Sequence, residues 1–317
     1  MAEEKMKMVP TRDGFGRGLV KLGKENKDVV VLSADLTDST RAAWFKKDFP
    51  DRFFGLGVAE QDMFGTAAGF ALMGKIPFAC TFGVFASGRA WDQLRVSIAY
   101  MNLNVKIAGT HGGISVGPDG ATHQAIEEIA LMRILPNMTI VVPCDAVEAE
   151  RATMEAAKLK GPVYLRLGRS GMPVITKETD YFKIGTANTL RDGKDLTIFA
   201  CGQMVYEAML ACDTLAKEGI KARLVNLHTP KPIDCDAITK AAYETGAIVT
   251  VEEHTLAGGM GSAIAEVVAQ TNPVPIKMVG IKNRFGVSGE PKELFEYFGL
   301  TPKHIVAAAR EALAMKK

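Results

Sequence analysis

The sequence predicts an α/β protein built as two doubly wound domains, a parallel-sheet domain followed by a smaller one. Three observations carry that expectation. Short apolar runs alternate with longer helical patterns from Val29 to Leu167, as in a parallel sheet covered by helices. Residues 170–195 carry Gly, Pro, Thr and Lys with little periodicity. The alternation then resumes at Leu196 and continues to the end of the chain. The expected limits are 1–175 for the first domain, 176–194 for a linker and 195–317 for the second.

Each element follows from its pattern. Residues 12–27 predict a helix and Val29–Leu32 a strand, which ends in the polar loop Ser33–Thr40. Phe53–Ala59 is the next apolar run. Gln61–Met73 is small, apolar and long enough for a buried helix. Strands are expected at Ile76–Phe82, Val105–Ala108, Thr139–Val142 and Val163–Leu167, with helices at Ala86–Tyr100, Ile126–Leu135 and Ala146–Leu159. In the second domain the strands are Leu196–Ala200, Ala222–Leu227, Ala247–Val251 and Ile276–Val279. Its helices are Val205–Glu218, Asp236–Tyr243, Ser262–Gln270 and two more near 291–298 and 302–315.

Composition excludes several classes of function. With 47% hydrophobic and 23% charged residues the chain is globular. A formal net charge of +2 gives no signature for a nucleic-acid or membrane partner. Five dispersed cysteines with no CxxC pair argue for a reducing, cytoplasmic setting and against a disulfide framework or a zinc site. The segment MAEEKMKMVP lacks the apolar core of a signal peptide, and no apolar run approaches the ~20 residues of a membrane helix.

The candidate chemistry gathers at strand ends, where open α/β sheets bind ligands. In Gly55–Gln61 (GLGVAEQ) a single carboxylate, Glu60, stands among apolar neighbours at the start of a helix. Desolvation keeps such a carboxyl protonated and able to donate a proton. A first-turn Glu favoured by the helix dipole is the plainer alternative. The loop His111–His123 holds four glycines, a proline, two histidines and Asp119. Its backbone can approach a ligand closely, and its polar groups can bind hydroxyls or shuttle protons. Asp119-Gly120 suits a turn, and Thr122 a helix cap. Arg12, Ser39, His111 and Arg169 can meet on one rim as a phosphate clamp. Phe82 and Phe85, spaced by three, suit either the core or stacking on a flat heterocycle. Gly258–Gly261 lacks the full GxGxxG spacing and reads best as a tight turn before a helix. Gly14, Gly16 and Gly18 also fail that fingerprint, and there is no P-loop. In the second domain no convergent polar site is evident, so it reads as structural.

The stretches GLGVAEQDMFGTAAGFALMGKIPFACTF, GPDGATHQ, PCDAVEAE and VEEHTLAGGMGSA together resemble the C-terminal half of transketolase. The resemblance spans essentially the whole chain, as a pyrimidine-binding domain and then a transketolase C-terminal-type α/β domain, and is nearest to enzymes split into two subunits. It implies thiamine diphosphate as cofactor. Glu60 would hydrogen-bond N1′ of the aminopyrimidine and so favour removal of the thiazolium C2 proton. Phe82 and Phe85 would flank the pyrimidine, although the third aromatic of the family's pattern is Gly88 here. Asp35 would lie near the cofactor. Arg12, Ser39, His111 and Arg169 would hold a sugar phosphate, and Asp119 and His123 the substrate's hydroxyls and carbonyl region. Glu60, His111 and His123 are the catalytic candidates.

The family's GDG motif, which binds the diphosphate through a metal, is absent: this chain has RDG at Arg12–Gly14 and Arg191–Gly193 and PDG at Pro118–Gly120. No metal ligand is therefore expected in this chain. The resemblance implies an N-terminal partner subunit that holds Mg2+ (or Ca2+), an α2β2 assembly, and inactivity of this chain alone. The implied reaction is transfer of a two-carbon glycolaldehyde unit from a ketose phosphate to an aldose phosphate. The alternatives are a subunit of another thiamine-diphosphate enzyme (deoxyxylulose-phosphate synthase-like, or a 2-oxoacid dehydrogenase β subunit) and a transketolase for an unusual sugar phosphate. A non-catalytic paralogue would lack the cofactor positions, which are all filled here.

Overall fold

The computed structural model describes residues 6–316, so part of the N-terminal stretch read above lies outside the described residues. The chain divides into two compact units, Met1–Gly112 with Leu135–Phe182, and Gly113–Ile134 with Lys183–Lys317.

The first unit begins with β1 (Met8–Val9), α1 (Thr11–Glu25), β2 (Val29–Ser33), α2 (Ala42–Asp48), β3 (Phe53–Gly55) and α3 (Glu60–Leu72). It continues with β4 (Ile76–Phe82), α4 (Trp91–Gln93) and β5 (Lys106–Thr110). The chain then enters the second unit with α5 (Glu128–Arg133) and returns with β6 (Thr139–Val141), α6 (Ala146–Lys158), β7 (Val163–Arg166) and β8 (Met172–Pro173). Six strands form one parallel sheet in the order β3-β2-β4-β5-β7-β6. β2, β5 and β7 are buried along their whole length, which explains why they read as mainly apolar runs, although β5 also buries Lys106 and β7 Arg166. β1 and β8 form a separate antiparallel pair.

Glycine sets the helix packing on this sheet. A Cβ at Gly14 would overlap the carbonyl of Ala146, and one at Gly18 would press on Thr153. These glycines therefore bring α1 close to α6. Ala86–Tyr100, expected as one helix, falls in α4 and the π-helical turns that flank it, Phe85–Arg89 and Leu94–Tyr100. Such turns widen the helix and re-aim side chains near a site.

The second unit holds β9 (Asn188–Arg191), β10 (Leu196–Ala200), α7 (Met204–Lys217), β11 (Ala222–Asn226), α8 (Cys235–Thr245), β12 (Ile248–Thr255), α9 (Met260–Gln270), β13 (Ile276–Ile281), α10 (Pro291–Phe298) and α11 (Pro302–Ala314). Its sheet runs β13-β12-β10-β11-β9, parallel except for the antiparallel edge strand β9. β9 lies within 176–194, which the sequence presents as a linker. It carries no alternation because both of its faces are partly exposed.

Candidate active site

In the first unit the strand order reverses between β2 and β4, and the candidate residues follow the carboxyl ends of strands at and near this switch. Asp35 follows β2, Phe82 ends β4, His111 follows β5 and Arg169 follows β7. Glu60 is the first residue of α3, just beyond β3.

Glu60 is 1% exposed. Its surroundings are less apolar than the sequence suggests, because Arg89 Nη1 donates to Glu60 Oε2 at 2.8 Å. The Arg89 guanidinium also lies 4.9 Å from the centre of the Phe85 ring. Phe85 stacks with Phe82, centroids 5.9 Å apart at 20°, and Phe82 packs on His111 at 3.8 Å. Where Gly88 leaves the aromatic set short, the neighbouring Arg89 supplies a planar group against Phe85. Sequence reading missed Arg89. The signal was its spacing of four from Phe85 on one helical face.

The clamp residues also meet in part. Arg12 Nη1 donates to the backbone carbonyl of Ser39 at 2.9 Å and reaches His111 Nε2 at 3.5 Å. Since arginine only donates, His111 Nε2 is the acceptor there. Nδ1 then carries the proton and donates to Thr110 Oγ1 at 3.0 Å. The Arg12 guanidinium is held down to about 10 by burial and then by Arg41, with Asp13 opposing and Arg169 adding to the repulsion. Three arginines thus bear on one spot. Arg41 is the second residue missed by sequence reading. It is bound to Asp13 at 2.6 Å and sits in the left-handed region at φ 68°, just before α2. Asp35 shares that backbone region, at φ 58°.

Asp119 and His123 belong to the second unit, whereas His111 belongs to the first, although all three share one stretch of sequence. A 3-10 turn spans Ile114–Asp119, and Gly120 (φ 74°) donates its N–H to the Gly117 carbonyl. Thr122 does not cap a helix: α5 starts only at Glu128, and the Thr122 hydroxyl bonds His123 Nδ1 at 2.9 Å. At the Gly258–Gly261 turn the amides that begin α9 are already filled. Glu252 accepts from Met260 N at 2.7 Å and Gly261 N at 2.8 Å, which leaves no cradle for a phosphate. Among the described residues no cluster of three His, Cys, Asp or Glu has the arrangement to hold a metal ion. No described helix is long and apolar enough to cross a membrane.

The chain is thus an α/β protein of a parallel-sheet unit, with a buried carboxylate, an aromatic pair and an arginine cluster near its strand ends, and a mixed-sheet unit. Comparison with known proteins gives the family. Residues 7–174 match the transketolase pyrimidine binding domain and residues 185–305 the transketolase C-terminal domain. The chain belongs to the transketolase family. It is 46% identical over 306 residues to a putative transketolase C-terminal section of Methanocaldococcus jannaschii, covering 95% of this chain and 96% of that one. It is 43% identical to the 6-deoxy-6-sulfo-D-fructose transketolase subunit SqwH of Clostridium sp., covering 96% and 95%. A solved structure described as a split gene transketolase, inactive beta4 tetramer, superposes with a TM-score of 0.91 at 48% identity, covering 98% of this chain and all of that one.

Proposed function

We propose that this chain is the C-terminal subunit of a split transketolase that moves a two-carbon glycolaldehyde unit from a ketose phosphate to an aldose phosphate with thiamine diphosphate. The observation that carries the reading is the setting of Glu60. A buried carboxylate faces a planar N–H donor stacked against Phe85. A protonated aminopyrimidine nitrogen makes the same two demands, an acceptor in its plane and an aromatic face beside it, so the residues present fit that group. When bound, the cofactor supplies a nucleophilic carbon and an electron sink for breaking and remaking a C–C bond beside a carbonyl.

The chain's own residues do the rest. Glu60 holds the ring nitrogen in a setting shielded from water, and Phe82 and Phe85 fix the ring. Arg12, Arg169, Ser39 and His111 bind the substrate phosphate, with Arg41 adding positive charge. His111, as the Nδ1–H tautomer, offers that phosphate a proton only after protonation at Nε2, so in the neutral form it orients Arg12. Asp119 and His123 bind donor hydroxyls and the reacting carbonyl, and proton transfer there is assigned to His123 as the imidazole of the pair. Asp35 lies near the cofactor.

The metal and the diphosphate are assigned to an N-terminal partner subunit in an α2β2 assembly, because the GDG motif is missing here. Two similar proteins described as a C-terminal section and as a split gene product support this. Five free cysteines suit a reducing cytoplasm. A second reading, a specialised sugar phosphate, is favoured by the relative described as a 6-deoxy-6-sulfo-D-fructose transketolase subunit.

The test is glycolaldehyde transfer from xylulose 5-phosphate to ribose 5-phosphate with thiamine diphosphate and magnesium. It is run with this chain alone and with a subunit carrying the GDG motif. Activity only with both is expected. Activity from this chain alone would overturn the division of labour. A silent pair that turns over another phosphorylated or sulfonated sugar would select the second reading.

A further inference from the structure

Three consecutive residues of β12, Glu252, Glu253 and His254, are at most 3% exposed and have no role in the reaction outlined above. Burying such groups is costly unless their hydrogen bonds are met, so their partners show what they are for. Glu252 caps α9. The other two grip the segment Gly113–Ile134.

Glu253 Oε1 accepts from the Ser115 amide at 2.5 Å. Its other oxygen accepts from Gln203 Nε2, which also donates to Ser115 Oγ at 2.5 Å. A Cβ at Gly113 (φ 86°) would overlap the Glu253 carboxylate, so only glycine lets the chain pass at this distance. His254 works at the other end. Its Nδ1 lies 2.8 Å from the Thr255 carbonyl and must donate to it. Nε2 therefore carries the lone pair and accepts from the amides of Ile129 at 3.1 Å and Ala130 at 3.4 Å. The carboxylates of Glu128 and Glu252 each stand 3.9 Å from one ring nitrogen. Between these grips, the two N–H groups of the Gln124 side chain are shared among the carbonyls of Ile114, Gly117 and Val287, and the Thr255 amide donates to that of Ile126. Asp119 and His123 lie on the stretch so held at both ends.

We propose that Glu253 and His254 are positioning residues for Asp119 and His123, so that the second unit sets the geometry of donor-sugar recognition. The proposal rests on the role given to Asp119 and His123 above. A backbone that must present two side chains to one substrate has to be fixed on both sides of them, because a misplacement of about 1 Å is enough to cost ~100-fold in rate. Acceptors aimed at single backbone amides fix it more tightly than apolar packing does.

The experiment compares Glu253→Ala, Glu253→Gln, Asp119→Ala and His123→Ala in the assembled two-subunit enzyme. Donor kcat/KM, thiamine diphosphate affinity and amide hydrogen exchange over 113–134 are measured. Glu253→Ala is expected to lower donor kcat/KM about 10- to 100-fold, with cofactor affinity unchanged and faster exchange at Ser115. Glu253→Gln should restore most of that loss: its carbonyl still accepts from Ser115, and Gln203 can turn its own carbonyl to the new amide. A merely structural role would give parallel losses in cofactor affinity and melting temperature. A folded Glu253→Ala enzyme with wild-type donor kcat/KM, alongside impaired Asp119→Ala and His123→Ala enzymes, overturns the positioning role. Normal donor kinetics in both Asp119→Ala and His123→Ala overturns the functional reading instead. Should Glu253→Ala fail to fold, exchange in the wild-type assembly decides. Protected Ser115, Ile129 and Ala130 amides uphold the grip, and exchange at open-loop rates there refutes it.

Discussion

Arg89 binds Glu60 through a 2.8 Å charge-assisted hydrogen bond and lies 4.9 Å from the Phe85 ring centre. The two residues differ in exposure: the Glu60 side chain is 1% exposed and that of Arg89 48%. Arg89 is therefore the partner that can swing toward solvent, while Glu60 is fixed at the start of α3. This asymmetry lets the carboxylate be uncovered by a movement of Arg89 without unfolding the helix.

Glu60→Gln tests that availability. The amide oxygen of Gln still accepts from Arg89, so folding and assembly should be retained. A Gln cannot take or hold a proton, and the activity of the assembled enzyme should fall by at least about 100-fold. Exchange of the cofactor C2 proton, followed by NMR with the partner subunit present, is the direct readout. Normal exchange in the variant would remove Glu60 from its assigned role.

Substitution in the arginine cluster should act on substrate affinity and leave the cofactor alone. Charge-assisted hydrogen bonds contribute about 1.5–3 kcal/mol, so Arg12→Met should raise KM for a phosphorylated donor ~10- to 100-fold. Arg41→Met should raise it less, because Arg41 is committed to Asp13. A non-phosphorylated sugar should show neither effect. The pH dependence has a defined sign. The Arg12 cation is held down to about 10, so it is present below that pH and lost as pH rises through it. Donor KM should therefore climb near pH 10 in the wild type and stay flatter in Arg12→Met. An equal rise in both would place the titration elsewhere.

Much of the fold was legible because fully buried parallel strands read as apolar runs and their helices as longer periodic ones. Glu60, Phe82, Phe85, Asp35 and His111 stood out as candidates because strand ends are where such sheets bind ligands, and each lies at or just beyond a strand end. What escaped had physical reasons. β9 is a half-exposed edge strand with no apolar alternation. The π-helical turns at Phe85–Arg89 and Leu94–Tyr100 keep a helical pattern while changing which side chains face the site. Arg41 and Arg89 went unread, since their partners Asp13 and Glu60 are 28 and 29 residues distant in sequence. Gly113–Ile134 reads as a loop and helix of the first domain, and its membership in the second unit depends on tertiary contacts with Glu253, His254 and Gln203.

Lys106 should give the first unit a stability that rises with pH. It is fully buried on β5, and its ammonium donates to the carbonyls of Leu159 at 2.7 Å and Gly161 at 2.8 Å. Burial drives its pKa down to about 7 from the ordinary 10.5. Below pH 7 both folded and unfolded chains hold the proton. Between pH 7 and 10.5 the unfolded chain holds it and the folded chain does not, so stability increases with pH by up to ~1.4 kcal/mol per unit. Melting at pH 6, 7, 8 and 9 should show that rise in the wild type and not in Lys106→Met. The variant should also lose about 1–3 kcal/mol, because two carbonyls are left without their donor. Identical pH slopes in the two proteins would show that Lys106 stays charged when folded.

Asp145 gives a prediction of the opposite kind, in which stability falls and chemistry does not. It stands immediately before α6, in the N-cap position of that helix. The structure shows a wider junction. Oδ1 accepts from the amides of Val147 at 2.9 Å and Glu148 at 2.8 Å, capping the helix. Oδ2 accepts from the amides of Ile175 at 2.8 Å and Thr176 at 2.6 Å, and the Thr176 hydroxyl donates to both oxygens. One fully buried carboxylate thus ties the start of α6 to the chain leaving β8. Asp145→Ala would leave four amides without their acceptor, that of Glu148 buried and the other three part-buried. A lost cap costs about 1 kcal/mol, and each further unsatisfied buried donor about 1–3. The expected loss is about 3 kcal/mol or more, read as a shift in urea midpoint. Asp145→Asn should lose less, because its carbonyl can still cap α6 while its amide faces the Ile175 and Thr176 donors. Activity per folded molecule, measured with the partner subunit below the melting range, should match the wild type in Asp145→Asn, since no candidate substrate or cofactor residue depends on this carboxylate. A drop in activity without a drop in stability would assign Asp145 to the chemistry instead.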